Sequence, residues 1–170
     1  TTLMENKPDL ILSGINYGKN TSINILYSGT VAAAFEGLLY NIPSIAFSIC
    51  SHSLNVDFSA SKHYIKQLIP QVLDLKEKEN LLLNVNIPVL PTDEIKGFKV
   101  TKPSSTLWED KYEKRTDPFG YDYYWFSGSF IPIDKNEDTD ENAIANGYIS
   151  ITPLKIDFFN KDLVNHLNIK

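Results

Sequence analysis

The 170-residue sequence holds one cysteine and one methionine. A single thiol, Cys50, excludes an internal disulfide framework and a zinc site built from several cysteines. No apolar run reaches the ~20 residues that a membrane-spanning helix needs. The opening Thr1-Thr2-Leu3-Met4-Glu5-Asn6-Lys7-Pro8 lacks the apolar centre of a signal peptide. The expected setting is therefore the cytoplasm, with no membrane partner. Positive charge is in deficit. Sixteen Lys and Arg face 21 Asp and Glu, for a net charge of −5, which argues against the broad basic face that coats a nucleic-acid polymer. An anionic ligand must then be held by local devices, such as a cation or a helix N-terminus. Internal repeats and low-complexity segments are absent too.

What remains is ordinary globular composition, 42% hydrophobic and 22% charged, in a length that suits a single domain with one core. Leu10 to Gly14 reads as a short buried strand ended by glycine, and Gly14 to Tyr27 as a polar loop. Ser28 is a natural N-cap for a helix running to Tyr40, with Val31, Phe35, Leu38 and Leu39 on one face. Ser44 to Ile49 is a second strand. Asp57 to Leu75 is a helix with Ile65, Leu68, Ile69, Val72 and Leu73 inward, kinked or ended early by Pro70. Leu81 to Ile87 is a third strand. Strand–helix–strand–helix–strand demands a parallel sheet flanked by helices.

Beyond Pro91 the pattern changes. Gly97 to Lys102 and Tyr121 to Phe126 read as strands of an antiparallel excursion, an arm of about residues 97–130. Asp138 to Asn146 is a short acidic helix, Gly147 to Leu154 a last strand, and Asn160 to Asn168 a terminal helix. Thr1 to Asn6 resembles the last turn of a helix begun earlier, so the single domain, 1–170, is read as N-terminally truncated.

Ligands of open parallel sheets bind outside the carboxyl ends of the strands. The first such end is Ser13-Gly14-Ile15-Asn16-Tyr17-Gly18-Lys19-Asn20, followed by Tyr27-Ser28-Gly29-Thr30 at the helix start. Free N–H groups at Gly29 and Thr30 and the helix dipole favour an anion. The Asn16 carbonyl oxygen suits a hard divalent cation. A tight turn in which Ser28 is only an N-cap explains the same residues. No G-x-G-x-x-G and no Walker A loop occurs.

The stretch from Pro8 to Ser48, PDLILSGINYGKNTSINILYSGTVAAAFEGLLYNIPSIAFS, resembles the SurE family of survival protein E 5′-nucleotidases. So do Asn84-Val85-Asn86-Ile87-Pro88, Arg115-Thr116-Asp117-Pro118-Phe119-Gly120 with Tyr123-Tyr124-Trp125, Thr139-Asp140, and Gly147 to Leu154. The motifs occur in the family's order over almost the whole chain. The resemblance implies a Rossmann-like α/β fold with an extended antiparallel hairpin, assembled as a homodimer or homotetramer. It implies a phosphatase, dependent on Mg²⁺ or Mn²⁺, that converts nucleoside 5′-monophosphates to nucleoside and phosphate. Carried over by motif, Asn16 is a metal ligand. Ser28, Gly29 and Thr30 lie against phosphate, with Gly18 and Asn20 in the adjoining loop.

One departure matters. The family's metal-binding Asp-Asp pair has no counterpart, because no two aspartates are adjacent anywhere in the sequence. Asp9 stands at the wrong end of its strand, and Glu36 lies about two turns into its helix. The isolated chain is therefore expected to be nearly inactive, and no catalytic residue is assigned within it. The alternative reading is a non-catalytic nucleotide- or phosphate-binding fragment. A third is a purely structural oligomerisation fragment.

Other candidates have plainer readings beside the functional ones. His52 either faces the site mouth or is a solvated loop histidine. His63 and His166 read as surface residues and Cys50 as a half-buried one. Arg115 and Asp117 are read either as contacts to substrate or a partner subunit or as members of an inter-strand ion pair. Tyr121, Tyr123, Tyr124, Trp125 and Phe126 can stack on a base but suit packing or an interface better. Lys135 to Glu141 reads as a solvated acidic loop.

Overall fold

The computed structural model describes residues 4–133, 136–164 and 166. Its elements are β1 (Ile11–Tyr17), a 3₁₀ turn (Ser22–Tyr27), α1 (Gly29–Leu39), β2 (Ser44–Ile49), α2 (Ser59–Leu73) and β3 (Leu82–Ile87). Then follow β4 (Phe98–Val100), β5 (Thr106–Thr116), β6 (Asp122–Pro132), α3 (Asp140–Ala145), β7 (Ile149–Pro153) and α4 (Lys161–Val164). The central sheet has the order β1-β2-β3-β7-β4. Strands β1, β2 and β3 are parallel, β7 runs antiparallel to β3, and β4 lies parallel to β7 at the edge.

Strand β2 is buried on both faces, and its alternation sorts the two halves of the core. Ile45 and Phe47 join Leu68 and Val72 of α2, Val85 and Ile87 of β3, and Ile149 and Ile151 of β7. Ala46 turns to the other face, against Val31, Ala34 and Leu38 of α1. Small residues on that face let α1 come close. Gly37 packs so tightly on the sheet that a Cβ there would stand 2.1 Å from Ser44 Oγ and 2.7 Å from Ile11 Cδ1.

Strands β5 and β6 form a separate two-stranded antiparallel hairpin. Asp117 closes its turn, its carboxylate accepting from the N–H groups of Phe119 (2.8 Å) and Tyr121 (2.9 Å). Among the described residues no helix is long and apolar enough to cross a membrane.

Several expectations are corrected. Strand β1 continues past Gly14 to Tyr17. Gly14 takes φ +116°, and the pairing with β2 shifts between Ser13 and Asn16. The glycine is absorbed as an irregularity inside the strand and does not end it. Phe98–Val100 belongs to the main sheet, and the hairpin's first strand is Thr106–Thr116, whose charged residues hid its alternation. Helix α2 continues through Pro70 to Leu73, which overturns the early end but not the kink. Leu39, expected inward, is 65% exposed. Met4 to Asn6 form no helical turn, while Thr1–Leu3 lie outside the described residues. Among the described residues the terminal helix covers Lys161–Val164, with residues 165 and 167–170 outside the description.

Gly37→Ala tests the close approach of α1. Helix propensity alone favours alanine by about 1 kcal/mol. The contacts with Ser44 and Ile11 reverse that sign, so the variant is expected to lose about 1–3 kcal/mol in urea unfolding. A gain in stability would contradict the packing described.

Candidate functional site

The carboxyl ends of β1, β2 and β3 are covered by the loop that leaves β1. Its glycine, Gly18, has φ +90°, and its N–H donates to the carbonyls of Ile49 (3.0 Å) and Ser51 (2.7 Å). A Cβ at this position would also crowd the ring of the exposed His52, but it is the positive φ that calls for glycine. The Gly18 carbonyl accepts from Asn16 Nδ2 at 2.8 Å. That bond fixes the half-buried Asn16 carboxamide and leaves Oδ1 as its uncommitted acceptor.

Asn20 is buried and held by the sheet beneath it. Its N–H donates to Asn86 Oδ1 (2.8 Å), its carbonyl accepts from Asn84 Nδ2 (2.7 Å), and its own Nδ2 donates to Ser48 Oγ (2.7 Å). The two buried asparagines of β3 therefore exist to satisfy an irregular loop that would otherwise bury unpaired backbone groups.

The next residues are tied down by α3. Asp140 is fully buried, and its carboxylate accepts from the N–H groups of Ser22 (2.9 Å), Ser104 (2.9 Å) and Glu141 (2.8 Å). Burial pushes this carboxyl above the usual carboxylate range, against the opposing pull of the three N–H donors. Glu141 accepts from Lys19 Nζ and Thr21 Oγ1. The expectation of a solvated acidic run at 135–141 fails here. Thr139 and Asp140 are buried and Asp138 is exposed beside Lys102, while Lys135 lies outside the described residues. A T-D pair at a helix start is the signal that was available, since Thr139 caps α3 by accepting from Asn142 N–H.

Ser28 caps α1 as expected, its Oγ accepting from Val31 N–H at 3.1 Å. The Gly29 and Thr30 N–H groups lie ahead of the first intrahelical bond, Ala32 N–H to Ser28 carbonyl at 2.9 Å, and so point out of the helix as orphan donors. The structure does not bring the six predicted residues into one cleft. Asn16, Gly18 and Asn20 line one cleft of about 990 Å³ together with Tyr27, His52 and Phe126. Ser28 lines a second cleft of about 830 Å³, which also contains Glu36, Ser104 and Phe158. Gly29 and Thr30 line neither. The 3₁₀ turn stands between them, and Ile23 touches both clefts.

The remaining candidates resolve simply. His52 lines the first cleft and is exposed. His63 bonds Gln67 on the surface of α2, and His166 is exposed. Arg115 pairs with Glu113 on its own strand and covers the Trp125 ring at 5.4 Å. The ion pair across the hairpin is Lys114 with Asp122, at 2.7 Å. Burial pushes the Cys50 thiol up to about 12. It remains protonated at neutral pH and is no nucleophile.

A carboxamide oxygen suits Mg²⁺ or Mn²⁺, and Asn16 Oδ1 qualifies as one donor. Among the described residues no group of three or more His, Cys, Asp or Glu is placed to hold a metal ion. The residues present thus fit one position of such a site and do not complete it.

Comparison with known proteins decides the family. The model of the survival protein SurE family matches residues 1–110. The chain belongs to the SurE family. It is 43% identical over 166 residues to a Flavobacterium psychrophilum protein named 5′-nucleotidase SurE, covering 98% of this chain and 65% of that protein. A Christiangramia forsetii protein of the same name is 45% identical over 165 residues, covering 95% and 64%. The crystal structure of the SurE protein from Aquifex aeolicus superposes with a TM-score of 0.82 at 40% identity, covering 96% of this chain and 65% of that one. The chain thus spans just under two-thirds of the length of these relatives. Its mixed α/β sheet with an appended hairpin is the SurE fold.

Asp140→Ala leaves three backbone N–H groups buried without an acceptor. The expected loss is about 3–5 kcal/mol in urea unfolding. A loss below about 1 kcal/mol would show that this carboxylate does not hold the loop.

Proposed function

We propose that the protein hydrolyses nucleoside 5′-monophosphates to nucleoside and phosphate with the help of Mg²⁺ or Mn²⁺. One observation carries the reading. Relatives named 5′-nucleotidase SurE match nearly the whole chain, and the matching S-G-I-N and Y-S-G-T motifs sit at the carboxyl end of β1 and the amino end of α1. That is where an open parallel sheet binds its ligand.

In this reading the chain's own residues bind and orient. The orphan N–H groups of Gly29 and Thr30, the Thr30 hydroxyl and the dipole of the 11-residue α1 hold the phosphate oxygens. They stabilise the charge that grows there as the P–O bond breaks. Ser28 keeps the helix end open by capping Val31. Asn16 is one ligand of the cation, held by Gly18 and, through the loop, by Asn20. A bound cation supplies Lewis-acid polarisation and lowers the pKa of bound water. The family pattern places the partnering aspartates in a segment ahead of these residues, so activity is a property of the protein at its relatives' full length. A homodimer or homotetramer in the cytoplasm belongs to the same reading. The exposed aromatic residues of the hairpin, with Tyr124 63% and Trp125 55% exposed, support the assembly. The net charge of −5 supports a small nucleotide over a nucleic-acid polymer.

Two substitutions in the full-length protein test this. Asn16→Ala is expected to cut activity at limiting Mn²⁺ by at least about tenfold, with partial recovery at high Mn²⁺. Thr30→Val is expected to weaken inhibition by inorganic phosphate by at least about tenfold, the worth of one charge-assisted hydrogen bond of about 1.5–3 kcal/mol. Unchanged activity of Asn16→Ala at limiting Mn²⁺ contradicts the ligand role.

A further inference from the structure

The cleft that contains Asn16 is larger than a phosphate needs and is walled on its far side by the hairpin. Phe126 and Phe130 of β6 and Asp110 of β5 reach it, and Tyr27, at the end of the 3₁₀ turn, lies on the same rim. Its volume of about 990 Å³ is at the upper end of the ~300–1,000 Å³ typical of small-ligand pockets.

The chemistry of this wall is not that of an anion site. The cationic side chain that lines the cleft, Lys19, is paired with Glu141. The charged group contributed by the hairpin is a carboxylate. The rest of the wall is aromatic. Tyr27 is 80% exposed, Phe126 54% and Phe130 39%. Phe126 and Phe130 are four residues apart and so share a face of β6. Gly128 lies between them, opposite Asp110 in the register, so no side chain from β6 covers the carboxylate at that pair. Of the five aromatic residues from Tyr121 to Phe126 singled out in the sequence, only Phe126 lines this cleft. Its ring is braced by Tyr112, at 5.3 Å between centroids.

We propose that the hairpin wall of this cleft is the nucleoside subsite. The base lies against Phe126, Phe130 and Tyr27, and Asp110 accepts from an N–H or O–H group of the nucleoside. The assignment rests on the nucleotidase reading for the phosphate end and gives the hairpin a part in substrate selection. Aromatic rings accept any base by its π-face, and such a contact is worth about 5- to 150-fold in affinity per base. The carboxylate repels the phosphate from this end, which orients the nucleotide with its phosphate toward the α1 terminus.

The test compares adenosine 5′-monophosphate with ribose 5-phosphate as substrates of the full-length protein. The wild type is expected to favour the nucleotide in kcat/KM by at least about tenfold. Phe126→Ala and the milder Phe126→Leu are expected to collapse that ratio at least about fivefold, through KM. A wild-type ratio near one, or a ratio unmoved by both variants, overturns the subsite. Should neither compound be hydrolysed, the nucleotidase reading is what fails. Calorimetric binding of free adenosine then decides the subsite separately. Binding that Phe126→Leu weakens at least fivefold supports it, and no binding to the wild type overturns it.

Discussion

The Asp140 carboxylate accepts from backbone N–H groups of three separate segments, Ser22 after β1, Ser104 ahead of β5 and Glu141 in α3. None of these segments has a ladder partner at that point. A buried N–H without an acceptor costs about 1–3 kcal/mol, so one carboxylate settles three such costs together. It fixes the loop over the carboxyl ends of the strands and the root of the hairpin relative to each other. Both walls of the Asn16 cleft, the loop and the hairpin, are therefore referred to one buried carboxyl group. Glu141 extends the clamp by holding Lys19 and Thr21.

The site end of the sheet is polar in a core that is otherwise apolar. On the α1 side, β3 contributes Asn84 and Asn86 and β2 contributes Ser48, all fully buried. These side chains support Asn20, and Asn20 carries the turn that presents Gly18 and Asn16. Residues assigned to ligand contact from motif position thus divide by task. Gly18 and Asn20 build the loop, Asn16 keeps a free oxygen, and Gly29 and Thr30 keep free N–H groups. The 3₁₀ turn separates the Ser28 turn from the Asn16 cleft, with Ile23 lining both clefts and Tyr27 the Asn16 cleft.

Much of this was legible before the structure. The β1-to-β3 order follows from three apolar runs separated by two amphipathic stretches, and the Ser28 cap follows from a Ser ahead of a helical period. Aromatic and β-branched runs beyond Pro91 pointed to the antiparallel excursion, and the family motifs agreed with it. Other features were hidden for physical reasons. Gly14 reads as punctuation, yet in the strand it adopts a conformation that only glycine tolerates easily. The β5 strand is rich in Glu, Asp, Lys and Arg because its faces are solvated, so its period of two carries little apolar signal. Asp140 sits in an acidic run that composition assigns to solvent. Its burial depends on N–H donors more than 30 residues away in sequence. Long-range polar satisfaction of that kind has no local signature.

The central claim is that phosphate docks at the amino end of α1 while Asn16 Oδ1 contributes one ligand to the cation. A crystal structure of the full-length protein with a nucleoside 5′-monophosphate and Mn²⁺ tests it most directly. The account predicts phosphate oxygens within hydrogen-bond distance of the Gly29 and Thr30 N–H groups and a metal bound to Asn16 Oδ1. Phosphate and metal bound elsewhere, with both positions left to solvent, would contradict it.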